Sequence, residues 1–336
     1  MTPRPPAPRI DFHAHYYGGA LPAFLTSRDS RPCLRMRDGK QVMWAMNGEF
    51  PFTPAHHDPA VGLAEMDRMG ITTRVLTFPG ALCVDALPAD QVAGPIAAFN
   101  DHLADLRAQT DGRLTGLAGL PLADIDLAVA ELIRVRRVLR LPGVILPADY
   151  FSTRDDMAPL APLFAAADAT GCHIMVHPGP KAGGVPAPLS PDLPQYRTSA
   201  VALQSQTADV VLTLILSDVL DRWSGISWQV VNLGGTVPFI LERMDSIARH
   251  RNPDDPFPTD RLRRLWYDCA SLGPRALELA VRVYGADRIL MGSDFPIFRD
   301  DPYAHALAPA DLSQCQRAMI EGGNAAALLA RCDAVV

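Results

Sequence analysis

Residues 9–19 read RIDFHAHYYGG, and the residues after the apolar start of that stretch decide between two folds. An open doubly wound sheet would place a glycine-rich turn after its first strand to receive a phosphate. Here the position holds His-Ala-His-Tyr-Tyr-Gly-Gly, two imidazoles and no phosphate cradle. Seven further short apolar runs come later in the chain: Thr73–Pro79, Leu114–Pro121, Val144–Ala148, His173–His177, Trp228–Leu233, Leu265–Ala270 and Ile289–Asp294. Each has the character of a parallel strand buried on both faces. Between them lie amphipathic helical stretches, among them Ala123–Leu141, Asp155–Thr170, Asp311–Ala330 and a helix opened by Gly273-Pro274 and closed at Gly285. Eight βα units in 336 residues predict a single α/β domain, a (β/α)8 TIM barrel, without internal repeats.

Two segments are longer than an ordinary βα connection. Residues 16–58 contain Arg31–Met46 with alternating apolar residues, which predicts an inserted hairpin or small cap after the first strand. Pro178–Asp192, rich in Pro, Gly and Ala, predicts a loop over the barrel mouth. Both come after the C-terminal end of a strand, the face on which barrel enzymes build their sites.

Composition excludes several classes of function. With 31 Lys+Arg against 37 Asp+Glu the net charge is −6, and a nucleic-acid partner needs a concentrated basic surface. The densest basic cluster, Arg134, Arg136, Arg137 and Arg140, has helical spacing and reads as a solvated helix face. The longest aliphatic run, Val210–Leu216, is too short to span a bilayer, and the Pro-rich start Met1–Arg9 lacks the apolar core of a leader. Six scattered cysteines with no CxxC pair read as thiols in a reducing compartment. The expectation is a cytoplasmic protein with neither a membrane nor a nucleic-acid partner.

His13 and His15 stand two apart on the first strand, so both side chains point to the same face. His177 ends the fifth strand in MVHPG, and Asp294 ends the eighth in MGSDFP. In a closed barrel the first and eighth strands are neighbours and the fifth faces them across the mouth. All four groups then converge. Three imidazoles and one carboxylate predict a divalent metal site, Zn2+ first, with Mn2+ or Fe2+ as alternatives. His173 shares the face of His177 but lies about 13 Å below it at the usual rise per residue. His56, His57 and His305 read as surface histidines.

The HxH of the first strand, the HPG of the fifth, NLGGTVPFILERMD around the sixth and YGADRILMGSDFP into the eighth resemble the amidohydrolase superfamily. The resemblance, from residue 9 to about residue 330, is to the branch containing aminocarboxymuconate-semialdehyde decarboxylase. It implies a (β/α)8 barrel, one divalent metal held by His13, His15, His177 and Asp294, no organic cofactor, and a homodimer. It also implies that Arg243 reaches across a dimer interface to a substrate carboxylate. Arg35 and Arg37 on the insertion offer a second guanidinium clamp.

In one place the chain departs from that family. The sixth-strand motif usually begins with His, and here Asn232 stands there. An amide does not titrate near neutrality, so Asn232 can orient a substrate or a water but cannot be its acid or base. The catalytic pair expected is Asp294, as proton carrier, with Asn232. The expected activity is a metal-dependent carbon–carbon lyase removing CO2 from an aromatic or unsaturated carboxylic acid. A hydrolase or hydratase of a lactone, ester or enol acid, and a metal-binding relative with altered chemistry, are the alternatives.

Overall fold

In the computed structural model, which describes residues 8–335, the apolar runs pair as expected. The strands in chain order are β1 (Ile10–His15), β2 (Cys33–Arg37), β3 (Lys40–Ala45), β4 (Gly48–Pro51), β5 (Thr73–Thr77), β6 (Leu114–Ala118), β7 (Gly143–Pro147), β8 (His173–His177), β9 (Ser227–Val230), β10 (Trp266–Asp268) and β11 (Ile289–Leu290). β1 and β5 to β11 form one parallel eight-stranded sheet in sequence order. A parallel bridge between Ala14 and Phe295, and a bond from Phe12 N–H to the Met291 carbonyl at 2.8 Å, join its two ends. The chain is a (β/α)8 barrel. Residues 1–7 of the Pro-rich start, and with them most of the no-leader expectation, lie outside the described residues.

The structure corrects several details. Of the two forms expected for the insertion it takes the small cap, a three-stranded antiparallel sheet, β2–β3–β4, with Leu34, Met43 and Ala45 buried. β11 stops at Leu290, four residues early. Beyond it Ser293 donates backbone N–H and hydroxyl to the buried carboxylate of Asp11, side-chain bonds that reinforce the remaining backbone bonds to β1. The run 155–170 is split into Arg154–Met157 and Ala161–Ala169 by a tighter turn, because Pro159 and Pro162 cannot donate to a helix ladder. The run 311–330 becomes Gln314–Ala318 and Asn324–Ala334 with a wide turn between. A Cβ on Gly322 would sit 1.8 Å from the Pro8 carbonyl oxygen, so the wide turn makes room for the incoming first strand.

Arg136 is not part of a solvated face. It is fully buried and donates to the carbonyls of Leu141, Thr170 and Cys332, tying three chain segments at the bottom of the barrel. Arg134 behaves as expected, pairing with Glu131 and Asp101. The stretch Pro194–Leu216 is long and apolar enough in composition to cross a membrane. Its second half buries Val210, Val211, Leu214 and Ile215 in the core, which explains that apolarity within a barrel. Among the described residues no disulfide forms, and five of the six cysteines are buried.

Candidate metal centre

His13, His15 and His177 come together at the C-terminal end of the barrel, with ligand atoms all within 4.8 Å of one another. Asp294 completes the group, its Oδ1 3.1 Å from His15 Nε2 and 3.8 Å from His13 Nε2. The backbone delivers it: Asp294 lies at φ 59°, in the left-handed region that Asp tolerates, and its N–H donates to the His13 carbonyl at 2.8 Å.

Each imidazole is held by its other nitrogen. His13 Nδ1 is 3.1 Å from the Asp268 carboxylate, and His177 Nδ1 is 3.0 Å from the Pro178 carbonyl. Neither partner has a proton to give, so both Nδ1 atoms donate. His15 Nδ1 is 2.8 Å from Thr77 Oγ1, whose own hydroxyl donates to the Ala14 carbonyl, so here too Nδ1 is the donor. With Nδ1 held, all three rings turn Nε2, the nitrogen that coordinates once it has given up its proton, toward one point. His13 Nε2 is buried with no hydrogen-bond partner, the vacancy expected of a nitrogen whose partner is a cation. The donor set of three imidazoles and a carboxylate fits a divalent ion.

The electrostatics draw positive charge to the cluster, which protons or a cation can supply. Burial lowers the pKa of His13, but Asp268, Asp294 and Asp11 together outweigh it and bring it up to about 9. Burial and the neighbouring His15 and His13 hold His177 well below its usual value. Burial alone would raise Asp294, yet the hydrogen bond from His15 and the charges of the three histidines hold it below the ordinary carboxylate value. The cluster as it stands favours an ionised carboxylate. His13 and His15 are almost inaccessible, whereas Asp294 keeps 14% of its side chain exposed and faces the mouth.

Asp268, at the end of β10, was missed by the sequence reading. Its Oδ1 also accepts the N–H groups of Asn232 and Ala270, and its Oδ2 accepts from Gln229 Nε2 at 2.7 Å. Gln229 in turn meets His173 Nε2 at 2.9 Å. A buried polar chain thus runs from His173 up to His13. His173 is one of its structural members, with a pKa lowered to about 4 by burial. The signal that could have found Asp268 is the one that found Asp294: a carboxylate at a strand end, here in WYDCAS.

Asn232 is buried at the start of the loop after β9, at φ 52°. Its Nδ2 donates to the Ala270 carbonyl at 3.0 Å and to Ser271 Oγ at 3.3 Å, which ties the loop after β9 to the one after β10 and leaves Oδ1 with no hydrogen bond among the described residues. The insertion arginines are not brought to the centre. Arg35 is spent on the carbonyls of Leu34 and Arg28, and Arg37 on Glu49, which arrives from β4 to meet it. Of the three expected surface histidines only His305 is exposed: His56 is buried and caps its own short helix with Thr53, and His57 is half-buried and stacks on Phe52. Arg243 is exposed on the helix Val237–Arg251 and, among the described residues, has no ion pair.

Comparison with known proteins finds relatives along most of the chain. The chain is 25% identical over 279 residues to the 2-amino-3-carboxymuconate-6-semialdehyde decarboxylase of Dictyostelium discoideum, covering 80% of this chain and 75% of that one. It is 28% identical over 284 residues to a gamma-resorcylate decarboxylase of Polaromonas sp., covering 77% and 83%. Its fold matches the crystal structure of a dihydroxybenzoic acid decarboxylase from Polaromonas sp. with bound manganese and the inhibitor 2-nitroresorcinol. That match has a TM-score of 0.70 at 22% identity, over 96% of this chain and 97% of that one. The family model for amidohydrolases matches residues 10–331, and the chain belongs to that amidohydrolase family.

Proposed function

We propose that this chain is a metal-dependent decarboxylase that removes CO2 from an aromatic or unsaturated carboxylic acid. The observation that carries the reading is the convergence of three imidazole Nε2 atoms and the Asp294 carboxylate on one point at the barrel mouth. The decarboxylases among its relatives support the reaction type. His13, His15, His177 and Asp294 would hold the ion, Zn2+ by donor set, with Mn2+ as the alternative that the Polaromonas structure suggests. Bound there, a divalent ion supplies Lewis acidity toward a substrate oxygen.

The protein's own groups do the rest. Asp294, kept ionised by its histidine neighbours, takes the proton of a substrate hydroxyl and returns it to the carbon that bears the carboxylate. The C–C bond then breaks, its electron pair restores the conjugated system, and CO2 leaves. The product departs as its oxyanion and regains a proton from water. Asn232 holds the substrate or a water through Oδ1 without exchanging a proton. The Asp268 network keeps His13 in the Nε2-presenting tautomer throughout.

The helix Val237–Arg251 supports a homodimer. Phe239, Arg243 and Ile247 are four apart and share one face, with Phe239 82% exposed and Ile247 41% exposed. In this reading Arg243 serves the partner's substrate carboxylate. Mixing chains inactivated by Arg243→Ala with chains inactivated by Asp294→Asn should then restore activity in heterodimers. A monomer by light scattering at micromolar concentration overturns the dimer.

An ionised Asp294 is also a base ready to activate water, which favours hydrolysis of a lactone or ester as the second reading. One experiment separates the two. Metal-loaded protein is screened for CO2 release from aromatic carboxylic acids and, in parallel, for acid release from lactones. CO2 release supports the decarboxylase, and acid release without it supports the hydrolase.

A further inference from the structure

A cavity of about 370 Å³ opens against Pro178 and Gly179, the residues that follow His177 at the end of β8. Pro178 and Pro180, just beyond His177, form part of its wall, with Leu189 of the long loop and Asn47 at the β3–β4 turn. Asp149, shortly after β7, is fixed next to them, because its N–H donates to the carbonyl of Gly179 at 3.1 Å. Its Oδ1 accepts from Gln206 Nε2 at 2.7 Å, and its Oδ2 makes no hydrogen bond among the described residues. Among the described residues no lysine or arginine lines the cavity, and Asp149 is its one charged side chain. Lys181, nearby in the loop, is paired with Asp156 at 2.5 Å.

This wall has a definite preference. A ligand carboxylate placed in the cavity would meet the like charge of Asp149, and the nearby cation, Lys181, is already paired with Asp156. A hydroxyl or amino group would meet an acceptor whose second oxygen has no donor, inside an otherwise largely apolar pocket. We propose that Asp149, oriented by Gln206, is a specificity-determining residue that selects substrates carrying a hydrogen-bond donor, a hydroxyl or an amino group, at the end remote from the carboxylate that is lost. The inference rests on the decarboxylase reading for its substrate class. Burial raises the pKa of Asp149, opposed by the Gln206 hydrogen bond and by Lys181, so a ligand donor would replace solvation that the carboxylate has partly lost.

The test is binding to the metal-loaded protein by calorimetry, independent of turnover. The probes are benzoate, its 3- and 4-hydroxy and 3- and 4-aminomethyl derivatives, and benzylamine. At least one donor-bearing acid should bind about tenfold or more tighter than benzoate. That advantage should fall at least tenfold in Asp149→Leu and in the near-isosteric Asp149→Asn, with circular dichroism confirming the fold of each. Benzylamine, which has no carboxylate, should lose its binding in Asp149→Leu. Equal affinity for all the benzoates in the wild type, or a donor preference that survives both substitutions, overturns the proposal. If benzylamine depends on Asp149 and no acid yields CO2, the cavity assignment stands and the decarboxylase reading falls.

Discussion

On the side of the mouth formed by β1, β10 and β11, nearly every buried polar atom near the histidines already has a protein partner. On the side formed by the loops after β5, β7 and β8, two carboxylate oxygens have no hydrogen-bond donor among the described residues, the buried Asp85 Oδ1 and the solvent-reaching Asp149 Oδ2. The first side is tied together by Asp11, which accepts from Arg74, Ser293 and His13 N–H, and by Asp268, which accepts from His13, Asn232, Ala270 and Gln229. Its single orphan is His13 Nε2. The second side is made of Pro- and Gly-containing loops around a cavity. The difference separates two tasks. An ion needs ligands fixed to within a few tenths of an ångström, whereas a substrate pocket needs shape and a few unsatisfied acceptors.

The largest effect should come from removing the orphan and its neighbour together. The double variant His13→Ala, His15→Ala takes two of the four ligands from the rigid side. Metal content measured after purification without chelators should drop from near one divalent ion per chain to essentially none, and activity with it. A double variant that still carries its full complement of ion would break the comparison at its foundation.

The second effect is on stability and belongs to the loop side. Asp85 is 1% exposed, and burial raises its pKa to about 7 against the hydrogen bonds of its own and the Ala86 backbone N–H. Unfolded, the same carboxyl loses its proton near pH 4. Between these values the folded chain holds the extra proton, so its stability falls as pH rises from about 4 to 7 and then levels off. Asp85→Asn removes that dependence. Chemical denaturation should show the variant gaining on the wild type across this window, by roughly 2–4 kcal/mol at pH 8. A constant difference from pH 4 to 8 would mean that Asp85 is solvated in the folded state.

A third and smaller effect sharpens the role of the rigid side. Asp268→Asn keeps the shape but replaces the carboxylate that holds the His13 Nδ1 proton. Metal affinity by calorimetry should weaken by about 10- to 100-fold while the fold persists. Unchanged affinity would reduce Asp268 to a purely structural residue.

The two sides also differ in how much of them could be read from sequence. The ligands were legible because side chains on a strand alternate, so HxH and two strand-end residues suffice to place four groups on one face. Asp268 obeys the same rule, but no neighbouring histidine singles it out among the strand-end carboxylates. The cavity was not legible, because Asn47, Asp149, Pro178 and Gln206 come from four separate segments that only the closed barrel brings together. Arg35 and Arg37 illustrate the remaining limit. Their alternation on β2 fixed which face they share, but not that the backbone carbonyls of Arg28 and Leu34 and the side chain of Glu49 would occupy them.

Asn232 lies where the two kinds of region meet, and it should show the smallest effect. Its donor is already used to bind the loop after β10 through Ala270 and Ser271, so a ligand sees its acceptor Oδ1. Replacement by Ala removes one neutral hydrogen bond to a ligand and loosens that tie, which together correspond to a loss of about 5- to 15-fold in kcat/KM. The pH profile should keep its shape, because no titrating group is removed. Ser271→Ala offers the control: it breaks the weaker part of the tie and leaves Oδ1 in place. If Ser271→Ala costs as much as Asn232→Ala, the residue acts by holding two loops together and not by touching substrate. If Asn232→Ala shifts a limb of the pH profile, a group nearby has taken up the proton transfer assigned to Asp294.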